Sequence, residues 1–390
     1  LYEERRRGVR IISVSDYREQ ARKKIPHFLF EYIDGGSVSE STLRANRRDL
    51  ERISLRQRVL KDVRDINTEL DLFGTTYSMP VVLGPVGIAG LNARRGEVQA
   101  ARAAEENNVP FAMSTVSLCS VEEVAGSVRD PMWFQLYMAK DRVFLKELLK
   151  RVQNTGCEIL LLTADLPVVG TRYRDVRSGL TRCDGLPCQL WRLLQILARP
   201  SWVWDVGIMG GPHNLGNLVP LMGSDAGLKD FLAWTDENFD PSATWDDISF
   251  VRENWSGKII VKGLLDPEDA SQAIKCGVDG IVVSNHGGRQ LDGAPSTAKA
   301  LPRIADRVAG TVPILVDGGI SSGTDIIRML ALGADAVLIG RAWVYALAAA
   351  GHRGVNQVLH LLKEELRIAM ALTGHTKPSM IDRNTLIDKR

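Results

Sequence analysis

Ile281-Val282-Val283-Ser284-Asn285-His286-Gly287-Gly288-Arg289-Gln290-Leu291-Asp292-Gly293 is an apolar β-type run that stops abruptly at a histidine, two glycines and an arginine. Such a pattern suits a strand that delivers reactive side chains onto a tight loop. His286 can exchange a proton near neutral pH, Arg289 can grip an anion with its planar fork, and Gly287 and Gly288 leave room for backbone to approach a ligand. Taken alone, the same residues also fit a structural histidine beside a surface arginine. What flanks them decides.

The run is the sixth of a series. Segments rich in β-formers at 79–84, 110–115, 132–137, 158–164, 258–262, 280–285, 313–317 and 336–340 alternate with helical patterns near 95–107, 120–127, 141–154, 245–254, 266–276, 296–308, 322–332 and 342–350. Parallel βα units require that alternation, and eight of them predict a (β/α)8 TIM barrel over 79–350. A doubly wound sheet is the alternative, but no Gly-x-Gly-x-x-Gly joins the first run to its helix. Residues 11–78 read as an N-terminal helical preface. It holds a helix over 15–34 with Tyr32 at its end and a stop at Gly35-Gly36, and a second over 39–50. A connector follows in which Arg56, Arg58, Lys61 and Arg64 alternate with apolar residues. A last helix near 354–372 packs outside the barrel within the C-terminal stretch 351–390, and the whole of 1–390 is one domain.

In such barrels the chemistry lies where strands end. Those ends carry Pro85-Val86-Gly87, Ser114-Thr115, Gln135 with Tyr137, Thr163 with Asp165, Lys262, Ser284 with His286 and Arg289, Asp317-Gly318-Gly319, and Gly340-Arg341. Each set alone has an ordinary reading as a strand end or a tight turn. Together they read as a site. The last two sets fall where barrels bind phosphate, and Lys262 places positive charge beside any electron-rich ring held there.

Composition narrows the function classes. Of 390 residues 45% are hydrophobic, ample for a large core, and a net charge of +2 offers no basic field for nucleic acid. Cys119, Cys157, Cys183, Cys188 and Cys276 are odd in number and lack metal-ligand spacing, which predicts reduced thiols, a cytoplasmic setting and no bound metal. No apolar run reaches about 18 residues. The start, Leu1-Tyr2-Glu3-Glu4-Arg5-Arg6-Arg7, lacks a signal peptide's apolar centre, so the chain is expected neither to span a membrane nor to be secreted.

With these residues assembled, the chain over roughly 11–380 resembles the FMN-dependent α-hydroxy-acid dehydrogenase and oxidase family. Ser284 through Gly293 is the most specific motif, supported by Trp133-Phe134-Gln135-Leu136-Tyr137 and Asp317-Gly318-Gly319-Ile320. The similarity is greatest to the bacterial quinone-linked members acting on L-lactate, through Met79-Pro80 to Arg95-Gly96-Glu97 and Ser117 to Val124. The resemblance implies that His286 is the base, oriented by Asp165, and that Arg289 with Tyr32 and Arg172 grips a carboxylate while Tyr137 bonds the substrate hydroxyl. It further implies FMN held by Pro85, Val86, Gly87, Ser114, Gln135 and Thr163 at the ring, with Lys262 at its N1 edge. Ser284 would contact the cofactor, Asp317 the ribityl hydroxyls, and Gly318, Gly319, Gly340 and Arg341 the phosphate end. L-Mandelate dehydrogenase, an oxygen-using 2-hydroxy-acid oxidase and a non-catalytic flavin-binding sensory protein are the rival readings.

Three positions refine that expectation. Ser321 stands where many relatives carry Arg, which removes a positive charge from the phosphate site and weakens FMN binding unless Ser321 or backbone amides compensate. Gly87 stands where oxidases commonly have Ala, favouring a dehydrogenase. Val116 replaces a bulky Trp and leaves space for a side chain larger than that of glycolate.

A long insertion, 166–244, follows the fourth strand. Within 176–210 it mixes Arg177, Arg182, Arg192 and Arg199 with Leu190, Trp191, Leu193, Leu194, Ile196, Leu197, Trp202 and Trp204. That composition fits an in-plane membrane anchor or a packed lid. The resemblance favours the anchor, with quinone as acceptor at the cytoplasmic face of a bacterial inner membrane, and implies a homotetramer or larger assembly.

Overall fold

The computed structural model describes residues 11–183, 185–222 and 238–387; the charged start, residues 1–10, and part of the insertion lie outside the described residues. An unexpected hairpin comes first, β1 (Leu70–Leu72) and β2 (Thr75–Tyr77), paired antiparallel. Eight parallel strands follow: β3 (Val81–Leu83), β4 (Ala112–Ser114), β5 (Trp133–Tyr137), β6 (Ile159–Thr163), β7 (Lys258–Leu264), β8 (Gly280–Val283), β9 (Ile314–Val316) and β10 (Ala336–Ile339). Their spatial order is β3-β10-β9-β8-β7-β6-β5-β4, and a parallel bridge between Leu83 and Phe111 joins the two ends. The predicted (β/α)8 barrel is therefore the observed fold.

The two-residue period of a strand explains how this barrel is filled. Val82, Ala112, Trp133, Leu161, Ile260, Val282, Leu315 and Leu338 form one buried apolar cluster in the interior. Two residues further along each strand stand Gly84, Ser114, Gln135, Thr163, Lys262, Ser284, Asp317 and Gly340. The interior thus changes from apolar to polar in one step, at the end where the βα loops begin. The hairpin closes the opposite end: Phe73 and Tyr77 pack edge-on against Trp133 at 5.8 and 6.4 Å. A Cβ on Gly280 would lie 2.9 Å from the Phe73 ring, so the missing side chain makes room for this plug.

The outer helices are α4 (Gly96–Glu106), α5 (Val121–Ala125), α6 (Arg142–Asn154), α9 (Asp247–Asn254), α10 (Pro267–Lys275), α11 (Thr297–Val308), α12 (Gly323–Ala331) and α13 (Arg341–Thr373), with α7 (Tyr173–Arg177) and α8 (Leu186–Leu197) in the insertion. In α6, Asp141 caps the first turn by accepting from Phe144 N at 2.9 Å, and Phe144, Leu145, Leu148, Leu149 and Val152 make one buried stripe. The expected helices at 342–350 and 354–372 are one element, α13, interrupted by non-helical Ala350 and Gly351. The single helix expected over 15–34 is two, α1 (Val14–Lys24) and α2 (His27–Asp34). Ile25, immediately before Pro26, is extended, as the proline ring demands. The next helix is α3 (Ser41–Glu51).

The expectation that all five thiols are reduced is corrected: Cys183 and Cys188 form a disulfide, their Cα atoms 5.4 Å apart. The turn of the chain into α8 brings them together, just before and inside the first turn of that helix. One edge of α8 faces the protein, where Gln195 accepts from Phe28 N at 2.9 Å and donates to Ser178 O at 3.0 Å. Trp202 likewise turns inward, its indole donating to Leu91 O. Leu186, Leu190, Trp191, Leu193, Leu194, Leu197, Trp204 and Ile208 are exposed. No helix among the described residues is long and apolar enough to cross a membrane.

Asp34, at the end of α2, ties three distant segments: it accepts from Arg18 at 2.6 Å, Arg174 at 2.7 Å and Tyr345 Oη at 2.7 Å. Burial disfavours its charge, but these partners outweigh burial and hold the carboxyl at about 2. Asp34→Asn is expected to lower stability by about 2–3 kcal/mol in chemical denaturation, less than for a fully buried pair because both arginines reach solvent. A depressed folded-state pKa stabilises above the unfolded value, so this difference should shrink as pH falls from about 4 towards 2.

Candidate active site

At the polar end of the barrel lies a cavity of about 770 Å³ lined by Tyr32, Pro85, Val86, Gly87, Gln135, Tyr137, Thr163, Arg172, Lys262, His286, Arg289, Asp317, Gly318, Gly319, Gly340 and Arg341, among others. Nearly every residue expected at the site is in its wall. Asp165, Ser114 and Ser284 stand behind that wall and act on residues that form it. Asp165 Oδ1 receives His286 Nδ1 at 2.9 Å. Ser114 Oγ donates to Gln135 Oε1 at 3.1 Å, and Gln135 Nε2 donates to Thr163 Oγ1 at 3.0 Å. Ser284 Oγ accepts from Lys262 Nζ at 2.9 Å and from His286 N at 3.0 Å, and donates to Asp317 Oδ2 at 2.8 Å.

The loop after β8 is wound tightly: His286, Gly287 and Gly288 have φ of 55°, 63° and 75°. A histidine in that conformation is uncommon, and here its backbone N and its ring are both fixed by the contacts above. Both glycines make room for neighbouring protein, and Gly287 also lines the cavity. A Cβ on Gly287 would lie 2.7 Å from Arg341 Nη1, and one on Gly288 would lie 2.5 Å from Leu43 N. Gln290 adds a clamp that the sequence did not single out, donating to Asp165 O and Val168 O, both at 2.9 Å. It thereby ties the loop carrying His286 to the loop carrying its carboxylate partner.

Two guanidinium groups meet the C-terminal carbonyls of α2, which have no partner inside the helix. Arg289 Nη1 donates to Tyr32 O at 2.5 Å and to Gly35 O at 3.0 Å, while Arg341 donates to Ile33 O, Gly35 O and Gly287 O at 3.0, 2.7 and 2.9 Å. Arg289 and Arg172 also stack on Tyr32, at 4.8 and 5.8 Å from its ring centre. Burial, and then Arg172, push Arg289 down to about 10, which leaves it cationic at neutral pH.

The titratable groups divide sharply. Burial lowers His286 despite the opposing pull of Asp165. Burial would raise Asp165, but His286 and Lys262 outweigh it and the carboxyl lies below its usual range. Burial likewise opposes the Lys262 charge, yet Asp317 and Asp165 raise its pKa overall. Burial raises Tyr137, so its phenol keeps its proton. The result is a neutral imidazole on a carboxylate, facing fixed cations.

A family model described as FMN-dependent dehydrogenase matches residues 21–388. The chain belongs to the FMN-dependent dehydrogenase family. It is 55% identical over 377 residues to L-lactate dehydrogenases of Yersinia pestis (strain Pestoides F) and Yersinia pseudotuberculosis (serotype O:1b, strain IP 31758), covering 96% of this chain and 98% of each relative. Among solved structures, the monotopic membrane protein (S)-mandelate dehydrogenase matches with a TM-score of 0.90 at 33% identity, covering 96% of this chain and 99% of that one. Mandelate oxidase with (S)-4-hydroxymandelic acid matches at 0.82 and 37%, covering 95% and 97%. FMN is accordingly the cofactor of this FMN-dependent dehydrogenase, and its reaction is oxidation of a 2-hydroxy acid.

The cavity fits that cofactor. Its volume suits a ligand of this size, and the buried Asp317 Oδ1 and Arg172 Nε have no hydrogen-bond partner within the protein. Leu166, Val169 and Phe239 line the same space and escaped the sequence reading, Phe239 because it lies far along the insertion before its ring reaches Tyr137 at 4.8 Å. Arg47, from α3, also lines it. Gly288→Ala would force a side chain into both a left-handed backbone and the start of α3, so thermal unfolding should show a loss of about 1–3 kcal/mol at least.

Proposed function

We propose that this dehydrogenase oxidises L-lactate to pyruvate and passes the electrons to a quinone while resting on the cytoplasmic face of a bacterial inner membrane. The observation that carries the chemistry is His286, held from behind by Asp165, in one cavity with Arg289 and Arg172. In this reading Arg289 and Arg172, with Tyr32, hold the substrate carboxylate, and the protonated phenol of Tyr137 bonds the hydroxyl that becomes a ketone. His286 Nδ1–H donates to Asp165, which fixes the tautomer and leaves Nε2 free to accept the substrate proton. Asp165 then stabilises the imidazolium. FMN, when bound, accepts the two electrons released from the substrate. Pro85, Val86, Gly87, Gln135 and Thr163 would hold its ring, backed by Ser114, with Lys262 as the counter-charge. Ser284 sets Lys262 against Asp317, which would meet the ribityl chain. Gly318, Gly319, Gly340 and Arg341 would meet the phosphate.

L-lactate is favoured by the 55% identity to the Yersinia enzymes over almost the whole chain. L-mandelate is the second reading, supported by the structural likeness to (S)-mandelate dehydrogenase and by Val116, whose size leaves the pocket roomy. Mixing the enzyme anaerobically with each acid and following loss of flavin colour tests both; bleaching by mandelate and not lactate would overturn the first. Reoxidation by quinone rather than oxygen tests the acceptor.

Replacing His286 with Gln should leave flavin bound but slow its reduction by substrate about 10²–10⁴-fold. Rapid reduction would remove His286 from the mechanism. A base must be neutral to accept a proton, and the imidazole pKa is lowered, so the acid limb of kcat/KM should fall below the ordinary histidine value of about 6.5. Asp165→Asn removes the group opposing that shift and should displace the limb further to acid.

Membrane attachment is supported by the row of exposed apolar residues on α8 and the following turn. Replacing Leu190, Trp191, Leu194 and Leu197 by Ser spares the inward Gln195 and Trp202. It should move the enzyme from the membrane fraction to the supernatant; unchanged partition would discard the anchor. Sedimentation of the released protein tests the tetramer or larger assembly.

A further inference from the structure

At one end of the cavity are Gly318, Gly319, Ser321, Gly340 and Arg341. Arg341 is the only cation in this group, and its Nε, Nη1 and Nη2 all donate to main-chain carbonyls. A phosphate monoester carries close to two negative charges at neutral pH. One shared arginine leaves much of that charge uncompensated.

A second cation reaches the same place from the preface. Helix α3 is pressed onto the turn after β9: a Cβ on Gly319, where φ is +83°, would lie 2.9 Å from the Asn46 carbonyl. Arg47 is the next residue, so its side chain emerges at the turn. Arg47 Nη1 donates to Ser321 Oγ and, at 2.8 Å, to Asp325 Oδ2, while Nε donates to the exposed Glu51 at 2.8 Å. Nη2 donates to none of the described residues. Asp325 is fully buried and also receives Arg328 at 3.0 Å and Ser321 N at 3.1 Å, so one carboxylate is shared by two arginines and the Ser321 turn.

We propose that Arg47, held in place by Asp325 and Ser321, is the second phosphate-binding cation of this chain and donates from Nη2 to the phosphate of FMN. Ser321 is then a hydrogen-bonded support for an arginine from another segment, and Asp325 is a positioning residue. The inference rests on the cofactor pose given under the proposed function.

Riboflavin, which lacks the phosphate, separates a phosphate contact from a structural role. The full-length chain is titrated with FMN and with riboflavin, following quenching of flavin fluorescence. Arg47→Gln should weaken FMN binding about 10- to 100-fold, the range for a charge-assisted hydrogen bond, and leave riboflavin binding within about twofold. Adding Ser321→Arg to that variant should restore most of the loss, and more salt should narrow the gap between wild type and Arg47→Gln. Arg48→Gln, which removes a neighbouring arginine on α3 that pairs with Asp49 and does not line the cavity, should change neither ligand. Equal weakening of both flavins by Arg47→Gln, or no weakening of FMN, would overturn the assignment. If the wild-type chain fails to favour FMN over riboflavin, the pose itself is wrong and the assignment falls with it.

Discussion

A side chain that points into a closed barrel of eight strands meets other side chains or one of two ends, and the strand period decides which. The apolar layer built on Val82, Trp133, Leu161 and Ile260 fills the middle, and the hairpin bearing Phe73 seals the far end. The next inward positions have a single outlet. Gln135, Thr163, Lys262 and Asp317 are brought to one cavity from strands far apart in the chain. Burial there would neutralise an isolated lysine or carboxylate, and the mutual pairing of Lys262 with Asp317 and of His286 with Asp165 keeps the charges in place.

The preface completes what the barrel begins. The end of α2 offers carbonyls to Arg289 and Arg341, and its Tyr32 ring lies beneath two guanidinium groups. Helix α3 abuts Gly288 and Gly319, and Asp292 from the β8 loop caps it by accepting from Ser39 N and Thr42 N. Like the α2 carbonyls, these amides at the helix start find their partners in the site loops. The site is therefore as much a product of helix-end chemistry as of strand ends.

The fold was legible because it is written in short-range periodicities: eight apolar runs spaced by amphipathic helices, with boundaries close to those observed. The residues at the strand ends were legible for the same reason, since alternation places Lys262 two after Ile260 whatever the loops do. Contacts set by loop geometry were not. Gln290 bonds main chain across 125 residues, and nothing in its neighbours announces that. Phe239 reaches Tyr137 from a part of the insertion beyond α7 and α8, where no helical or strand pattern announces it. Gly287 and Gly288 were legible as points of close approach, but glycine does not name what approaches, and the contacts to Arg341 and Leu43 could not be read from it. The Cys183–Cys188 bond was missed because it is made by the turn of the chain into α8, which the spacing of the cysteines does not itself reveal.

The Asp34 carboxylate carries a meaning for how the protein is made. Its partners come from the first helix, from the loop after β6 and from α13, the last lying 311 residues downstream. A chain emerging amino end first exposes Asp34 and the Tyr32 turn while most of the sequence that satisfies them is still untranslated. The segment carrying Asp34 is thus among the first synthesised and the last secured, and a chain truncated just before Tyr345 would keep all ten strands yet lack one of the three partners that hold it.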